Sequence, residues 1–386
     1  NSEGDLASYQ VYGGTSASPA TLIATVSAGT ETYVHTGLTN GTIYYYNISA
    51  IDNSGNESAV TADVSIVPYI PMVATEPSGS GTSGDPYQIA TLNNLYWLSQ
   101  NTSDLHKHYI QTADIDASST AYWDDGAGFS PIGYIGPSFD GSYNGNGYTI
   151  DGLTINRPAM NNVGLFNVVG NATIQDLNVT NVDITGYLEV GGLVGRSASS
   201  IISNCYSSGS VDAYQGGGLV GKSASSIISN CYSSVNVIGE SYPGGLVGYL
   251  DSSIISNSYS TGNVIGSAHS AGLVGRILNS PGSIISNCYS IGSVSGNYGL
   301  AKGLIGKDEN SIPMVLNSFW DTETSGQSSS DGGIGKTTAE MKDANTFISA
   351  GWDFEVETSN GTDNYWDMDN VNGTYNSGYP FLDWQN

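Results

Sequence analysis

Between Gly191 and Gly306 the chain says nearly the same thing five times. GGLVGRSASSIISNCYSSGSV starts at Gly191, GGLVGKSASSIISNCYSSVNV at Gly217, GGLVGYLDSSIISNSYSTGNV at Gly244, AGLVGRILNSPGSIISNCYSIGSV at Ala271 and KGLIGKDENSIPMVLNSFWD at Lys302. The second glycines fall at Gly192, Gly218, Gly245, Gly272 and Gly303, in steps of 26, 27, 27 and 31 residues, and a weaker copy starts at Val163. A fixed period of this size is the mark of a solenoid, in which one unit can bury its apolar face only against its neighbours. Each copy holds three short β-rich runs (LVG, IISNCYS and xVxG) separated by Gly, Ser and Asn, without helical periodicity. Three strands per period fit one turn of a right-handed parallel β-helix, with successive coils about 4.8 Å apart.

This G-L-[VI]-G signature resembles the GLUG motif family, and the resemblance covers roughly half of the chain. It implies an adhesin-like protein among the large secreted and surface proteins of prokaryotes. The family carries no catalytic residues that could be transferred to positions here, so the resemblance speaks to fold and location rather than to a reaction.

Composition narrows the partners. The chain of 386 residues has 9 Lys plus Arg against 35 Asp plus Glu, a net charge of −26. Nucleic acid and anionic membrane surfaces both require a basic footprint that this balance lacks. No apolar run reaches membrane-spanning length. The chain opens at Asn1 rather than Met, which reads as a processed or truncated chain. Strong acidity, 26 tyrosines and 51 glycines suit an extracellular β-rich protein.

Five segments are expected. Residues 1–68 read as β-strands: YQVYGG, TLIATV, ETYVHTGL and TIYYYNISAID, the last followed by the turn NSGNES. GLTNGTIYYYNISAIDNSGNES resembles the second half of a fibronectin type III β-sandwich, with Tyr44 or Tyr46 as its corner tyrosine and Leu38 in its core. The first two strands of such a sandwich would precede Tyr9. Either upstream chain supplies them or a neighbouring molecule does, and the second case gives head-to-tail homo-assembly by strand donation. Residues 69–84 read as a Pro/Gly/Ser linker. Residues 85–135 form an N-terminal cap with a short helix after Thr91, where Leu92, Leu95 and Leu98 recur at helical spacing. Residues 136–320 are the β-helix. Residues 321–386 are a C-terminal cap, with a helix near Thr338 to Ile348 and large side chains at Trp352, Phe354, Trp366, Tyr379, Phe381 and Trp384. The fold class is all-β, a fibronectin type III-like sandwich followed by a right-handed parallel β-helix with short capping helices.

In a solenoid, function lies in columns of equivalent positions. The first column, Cys205, Cys231, Ser258, Cys288 and Ser318, holds every cysteine of the chain. It reads as a disulfide or metal column or as a row of small buried side chains, and the Ser substitutions favour the last. The second is Asn204, Asn230, Asn257, Asn287 and Asn317, with Tyr206, Tyr232, Tyr259, Tyr289 and Phe319 two residues on. It reads as an amide and aromatic ladder that stabilises the stack or as a strip for stacking on sugar rings. The third, Arg196, Lys222, Tyr249, Arg276 and Lys307, gathers four of the nine basic residues. It reads as a rail for carboxylates of a glycan or neighbour, or as a solvated edge.

Parallel β-helices include polysaccharide lyases and hydrolases, so an enzyme is the competing reading. His35, His106, His108 and His269 fall in different units, and the repeat acids Asp212, Glu240, Asp251 and Asp308 share no phase. WDDG at Trp123 to Gly126 is a candidate acid pair that reads better as a loop. No G-x-S-x-G, H-E-x-x-H or Walker pattern is present. The expectation is a protein without a catalytic site or cofactor. A weak calcium signal lies at Asp363, Asp367 and Asp369, or at Asp52 to Glu57. Sequons at Asn40, Asn47, Asn56, Asn101, Asn171, Asn178, Asn360 and Asn372 are glycosylation candidates where the source glycosylates asparagine.

Overall fold

The computed structural model describes residues 5–30, 32–278, 282–297, 300–309, 314–355, 359–368 and 376–385. The chain divides into two compact units, residues 1–71 and 72–386.

The N-terminal unit is a four-stranded antiparallel sheet of β1 (Leu6–Gly14), β2 (Leu22–Ser27), β3 (Tyr44–Asp52) and β4 (Val64–Ile66), in the order β2-β1-β3-β4. Tyr9 stands opposite Val26 on one side and Ala50 on the other, and Val11 opposite Ile48. Strand alternation separates the faces. One face is polar: the Tyr12 hydroxyl donates to Glu57 at 2.6 Å and the Asn47 amide to Asp63 at 3.0 Å. The other carries Tyr9, Val11, Val26, Tyr46 and Ile48, which with Tyr33 and His35 line an open hollow of about 490 Å³. The ETYVHTGL run, expected as a strand, lies outside the sheet: residues 32–38 form no strand, although Tyr33 and His35 line the hollow.

The second unit is a parallel β-solenoid of about six turns. One wall is a six-stranded sheet of Phe166–Gly170, Val194–Ala198, Val220–Ala224, Val247–Asp251, Val274–Ile277 and Ile305–Asp308. The IIS and xVxG runs stack in the remaining walls. Register follows the repeats: Ile202 pairs with Ile228, Ile228 with Ile255, Ile255 with Ile285 and Ile285 with Val315. The leucines of G-L-[VI]-G, from Leu193 to Leu304, are fully buried. A one-residue slip would turn each of these columns to solvent, so apolar burial fixes the register.

The glycines of the signature are set by close approach. A Cβ at Gly221 would overlap the backbone of Glu189, and one at Gly275 the carbonyl oxygen of Tyr242, because the preceding corner crosses directly over each site. At the N-terminal end, α1 (Leu92–Gln100) starts where the Thr91 hydroxyl accepts from the Asn94 N–H at 3.2 Å, and it buries Leu92, Leu95 and Leu98. Within the stretch read as a linker, Ser78 pairs with Gln88 and Thr82 with Asp85, so its later part is hydrogen-bonded into this unit.

The expected helix at Thr338 to Ile348 is two helices, Thr338–Met341 and Ala344–Ile348. Each start is capped, the first by a Thr337–Glu340 capping box and the second by Asp343, and that second cap breaks the run.

Candidate functional site

The three columns lie where the repeats place them, and the contacts give each a physical reason. Asn204, Asn230, Asn257, Asn287 and Asn317 have φ of 51°, 53°, 46°, 52° and 48°. They are left-handed corner residues, and Asn is among the few side chains that tolerate this region. The amide ladder read from the sequence is the lesser part: Asn287 donates to Asn257 at 3.3 Å, while Asn204 donates to Asp176, itself a left-handed corner of the weak copy.

The corner explains the cysteines. A left-handed turn interrupts the backbone ladder, and the next side chain repairs it. The Cys231 N–H donates to the Ser258 hydroxyl at 3.1 Å, the Cys288 N–H to the Ser318 hydroxyl at 3.1 Å, and the Cys205 N–H to the Cys231 sulfur at 3.4 Å. Each thiol or hydroxyl in turn donates to the carbonyl two residues back, at 3.1 Å from Cys231 and 2.7 Å from Ser258. Ser and Cys interchange because the site needs a small donor-acceptor. The cysteines are free and fully buried, and burial pushes the Cys288 thiol up to about 12. At Cys205 and Cys288 the thiolate needed for reaction or metal binding is therefore disfavoured. Sequence reasoning missed a matching corner at Ser199, Ser225 and Ser252, with φ of 50°, 50° and 48°, beside which Ser226 and Ser253 carry the same repair bonds.

The tyrosine column is a continuous stack. Ring centroids are 4.0 Å apart for Tyr206–Tyr232, 4.9 Å for Tyr232–Tyr259 and 4.8 Å for Tyr259–Tyr289, with interplanar angles of 19°, 9° and 6°. It is not a free platform. The C-terminal residues, expected to close the end of the solenoid, run along its side and cover the stack. Trp352 and Trp366 pack on Tyr289, Trp366 on Tyr259, and Trp384 on Tyr232 at 5.6 Å. The Trp384 indole donates to the Asn230 carbonyl at 3.0 Å, the Tyr259 hydroxyl to Gln385 at 2.9 Å, and the Tyr289 hydroxyl to the Pro380 carbonyl. Tyr259 and Tyr289 are buried, which corrects the sugar-contact reading for these two; Tyr206 and Tyr232 are half-buried. Burial pushes the Tyr259 and Tyr289 hydroxyls well above their ordinary value of 10.0.

The basic column points outward and is in register, Arg196 opposite Lys222, Tyr249 opposite Arg276 and Arg276 opposite Lys307. Part of its charge is answered within the chain. Lys222 lies 3.7 Å from Glu189, and Arg276 binds Glu309 at 2.5 Å while its guanidinium lies 4.7 Å from the Tyr242 ring. Among the described residues Arg196 and Lys307 form no ion pair. The same coils carry His269 stacked on Tyr242 at 5.0 Å.

The remaining candidates are scattered. His108 bonds Ser142 at 2.7 Å and His35 bonds Tyr46 at 2.9 Å, so the histidines share no site. Asp124 of the candidate acid pair binds Arg157 at 2.8 Å. In the calcium candidate, Asp363 accepts from the Tyr365 hydroxyl at 3.0 Å and Asp367 from the Met368 N–H at 2.6 Å. Asp369 lies outside the described residues, and among those described no group of three or more His, Cys, Asp or Glu is placed to hold a metal. In the other candidate loop, Asp52 caps its own turn by accepting from Ser54 and Asn56.

The sequons differ in access. Asn40, Asn56 and Asn171 are exposed. Asn101 donates to Asp104 and Asn178 to the Gly147 carbonyl. Asn360 donates to the carbonyls of Ile348 and Trp352, and Asn47 is 5% exposed and held by Asp63, a burial that disfavours Asn47 as an acceptor. Asn372 lies outside the described residues.

Comparison with known proteins agrees with this architecture. The GLUG motif is matched three times, at residues 186–212, 212–238 and 239–265. Halomucin of Haloquadratum walsbyi is 35% identical over 146 residues, 36% of this chain and 2% of that protein. A protein of Evansella cellulosilytica provisionally named a Gly-rich membrane protein is 39% identical over 124 residues, 31% of this chain and 14% of that one. The chain thus matches a small part of each relative's length. A crystal structure from Bacteroides ovatus, provisionally described as an immunoglobulin A1 protease, superposes with a TM-score of 0.57 at 19% identity, covering 79% of this chain and 94% of that one. At that identity the likeness is one of fold.

Proposed function

We propose that this chain is a non-enzymatic structural or adhesive building block of a cell surface or extracellular layer. One observation carries the reading: the repeated columns of Asn, Cys/Ser, Gly and Tyr engage the next coil or the C-terminal segment, as in a rod selected for its own integrity. Halomucin and the Gly-rich membrane protein, by their names, support a surface setting. The N-terminal sheet supports the finer reading of a fibronectin type III-like half sandwich. The Thr39 N–H donates to the Tyr44 hydroxyl at 3.1 Å, as a corner tyrosine would accept, and one apolar face lies open. Strands from a neighbouring molecule on that face would link copies head to tail. The test is electron microscopy of the purified chain alongside Val11→Asp. Regular assemblies lost in the variant support the reading. Isolated particles that release products from an acidic polysaccharide would replace it with the enzyme reading.

Carbohydrate binding is the second reading, favoured by the outward register of Arg196 and Lys222. Binding of acidic glycans on an array, lost in Arg196→Ala and retained in Tyr289→Phe, would support it.

A further inference from the structure

The weak copy departs from the signature at one position, and a hollow opens there. Register sets Phe166 beside Val194 and Val168 beside Arg196, so Asn167 stands where later coils have the second glycine of G-L-[VI]-G. Those glycines are required by the corner of the preceding coil, as Gly195 is by the backbone of Asn162 and Gly306 by that of His269. At Asn167 there is room for a side chain, and its amide donates to the carbonyls of Asn161 and Asn162 in the corner of its own coil. Beside it lies an open hollow of about 720 Å³, with Tyr134, Arg157, Met160 and Asn167 in its walls. Two polar groups of these walls are left without partners. Asn167 is 7% exposed, and its side-chain oxygen accepts no hydrogen bond among the described residues. The Nε of Arg157 is buried and unpaired, while its Nη2 is held by Asp124 at 2.8 Å. Unpaired buried polar groups at the wall of a hollow are what a ligand with hydroxyls would satisfy.

Two aromatic rings continue the same edge. The Tyr187 N–H donates to the Met160 carbonyl at 2.8 Å and the Gln215 N–H to the Tyr187 carbonyl at 3.1 Å, so Tyr187 and Tyr214 lie one and two coils on from the hollow. Their ring centroids are 5.4 Å apart and their planes are tilted by 38°. Unlike the buried Tyr259 and Tyr289, they are 45% and 37% exposed.

We propose that the hollow and these two rings form one binding strip for a neutral glycan, an inference that rests on the carbohydrate reading above and moves its site and ligand. Charge decides between neutral and acidic sugars. Arg157 is already paired with Asp124, and a chain of net charge −26 repels a polyanion at long range. A neutral sugar supplies hydroxyls that donate to the Asn167 oxygen and accept from the guanidinium, and its C–H face rests on an aromatic ring. The coil pitch of about 4.8 Å is close to the length of one sugar in an extended chain, so successive sugars can follow the hollow, Tyr187 and Tyr214 in turn.

The test is saturation-transfer NMR and titration calorimetry of the full chain with neutral hexasaccharides of glucose, mannose and N-acetylglucosamine, beside an acidic hexamer of uronic acid. Wild type is expected to bind at least one neutral hexamer, and Tyr187→Ala/Tyr214→Ala to weaken that binding about tenfold or more. Tyr134→Ala, in the wall of the hollow, weakens it as well and decides the matter if the double variant does not fold, with circular dichroism as the check. Wild type that binds none of the neutral hexamers overturns the proposal. So does binding that both variants retain. Binding of the acidic hexamer alone, lost in Arg196→Ala, overturns the neutral strip and leaves the carbohydrate reading on the basic column. Binding of no glycan at all removes both.

Discussion

The solenoid and the N-terminal sheet both have an apolar face, and they dispose of it differently. In the solenoid the chain turns back on itself, so Leu193, Leu219, Leu246, Leu273 and Leu304 meet side chains of the same coil and are fully buried. In the N-terminal sheet the chain does not return, and Ile48, Val64 and Ile66 remain 40%, 68% and 55% exposed. The difference lies in the corners. Left-handed Asn and Ser residues, each followed by a repairing hydroxyl or thiol, fold one wall onto the next. A sheet without such corners leaves its apolar face open.

The contrast can be broken most sharply inside the rod. Tyr289→Ala removes the last tyrosine of the stack, on which Trp352 and Trp366 pack, and a loss of about 3–5 kcal/mol is expected by denaturant unfolding. Gly275→Ala drives a methyl into the Tyr242 carbonyl, with an expected loss of about 1–3 kcal/mol. Alkali probes the same stack. Burial raises Tyr259 and Tyr289 above 10.0, so their neutral forms stabilise the fold fully below pH 10, and that stability is lost as pH rises toward the folded values. Absorbance should therefore show a late, cooperative ionisation coincident with unfolding, rather than one smooth step near pH 10. Asn230→Ala at a left-handed corner should cost about 1 kcal/mol and Asn230→Gly less, read as a shift in melting temperature. The smallest effect on stability belongs to the N-terminal sheet: Ile48→Ser on the open face is expected within about 0.5 kcal/mol of wild type. If Ile48→Ser is as damaging as Tyr289→Ala, the open face is buried in solution even in an isolated chain, and the contrast fails.

Much of the rod was legible from the sequence because its rules are local. The period gave the coils and spacing gave the helix after Thr91, but the parity of the IIS run was not fixed by the sequence: Ile202 is buried and Ile201 is exposed. The physical meaning of the columns was less legible. Asn204 and its equivalents read as a ladder because sequence shows recurrence and not φ, although Asn at a fixed phase beside a short strand is a signal for a left-handed corner. The cover over the tyrosines could not be read at all. The contacts that bury them join residues 126 and 154 positions apart, and nothing in the aromatic ending FLDWQN distinguishes a plug at the end of a coil from a strap along its side.

The central proposal is that the open apolar face of the N-terminal sheet links copies of the chain, while the solenoid buries its own apolar face. Electron microscopy of the purified full chain, with its subunit mass verified, tests it most directly. The account predicts regular filaments or rows of rods that Val11→Asp disperses without unfolding the solenoid. Single monodisperse particles at every concentration, identical in wild type and Val11→Asp, would contradict it.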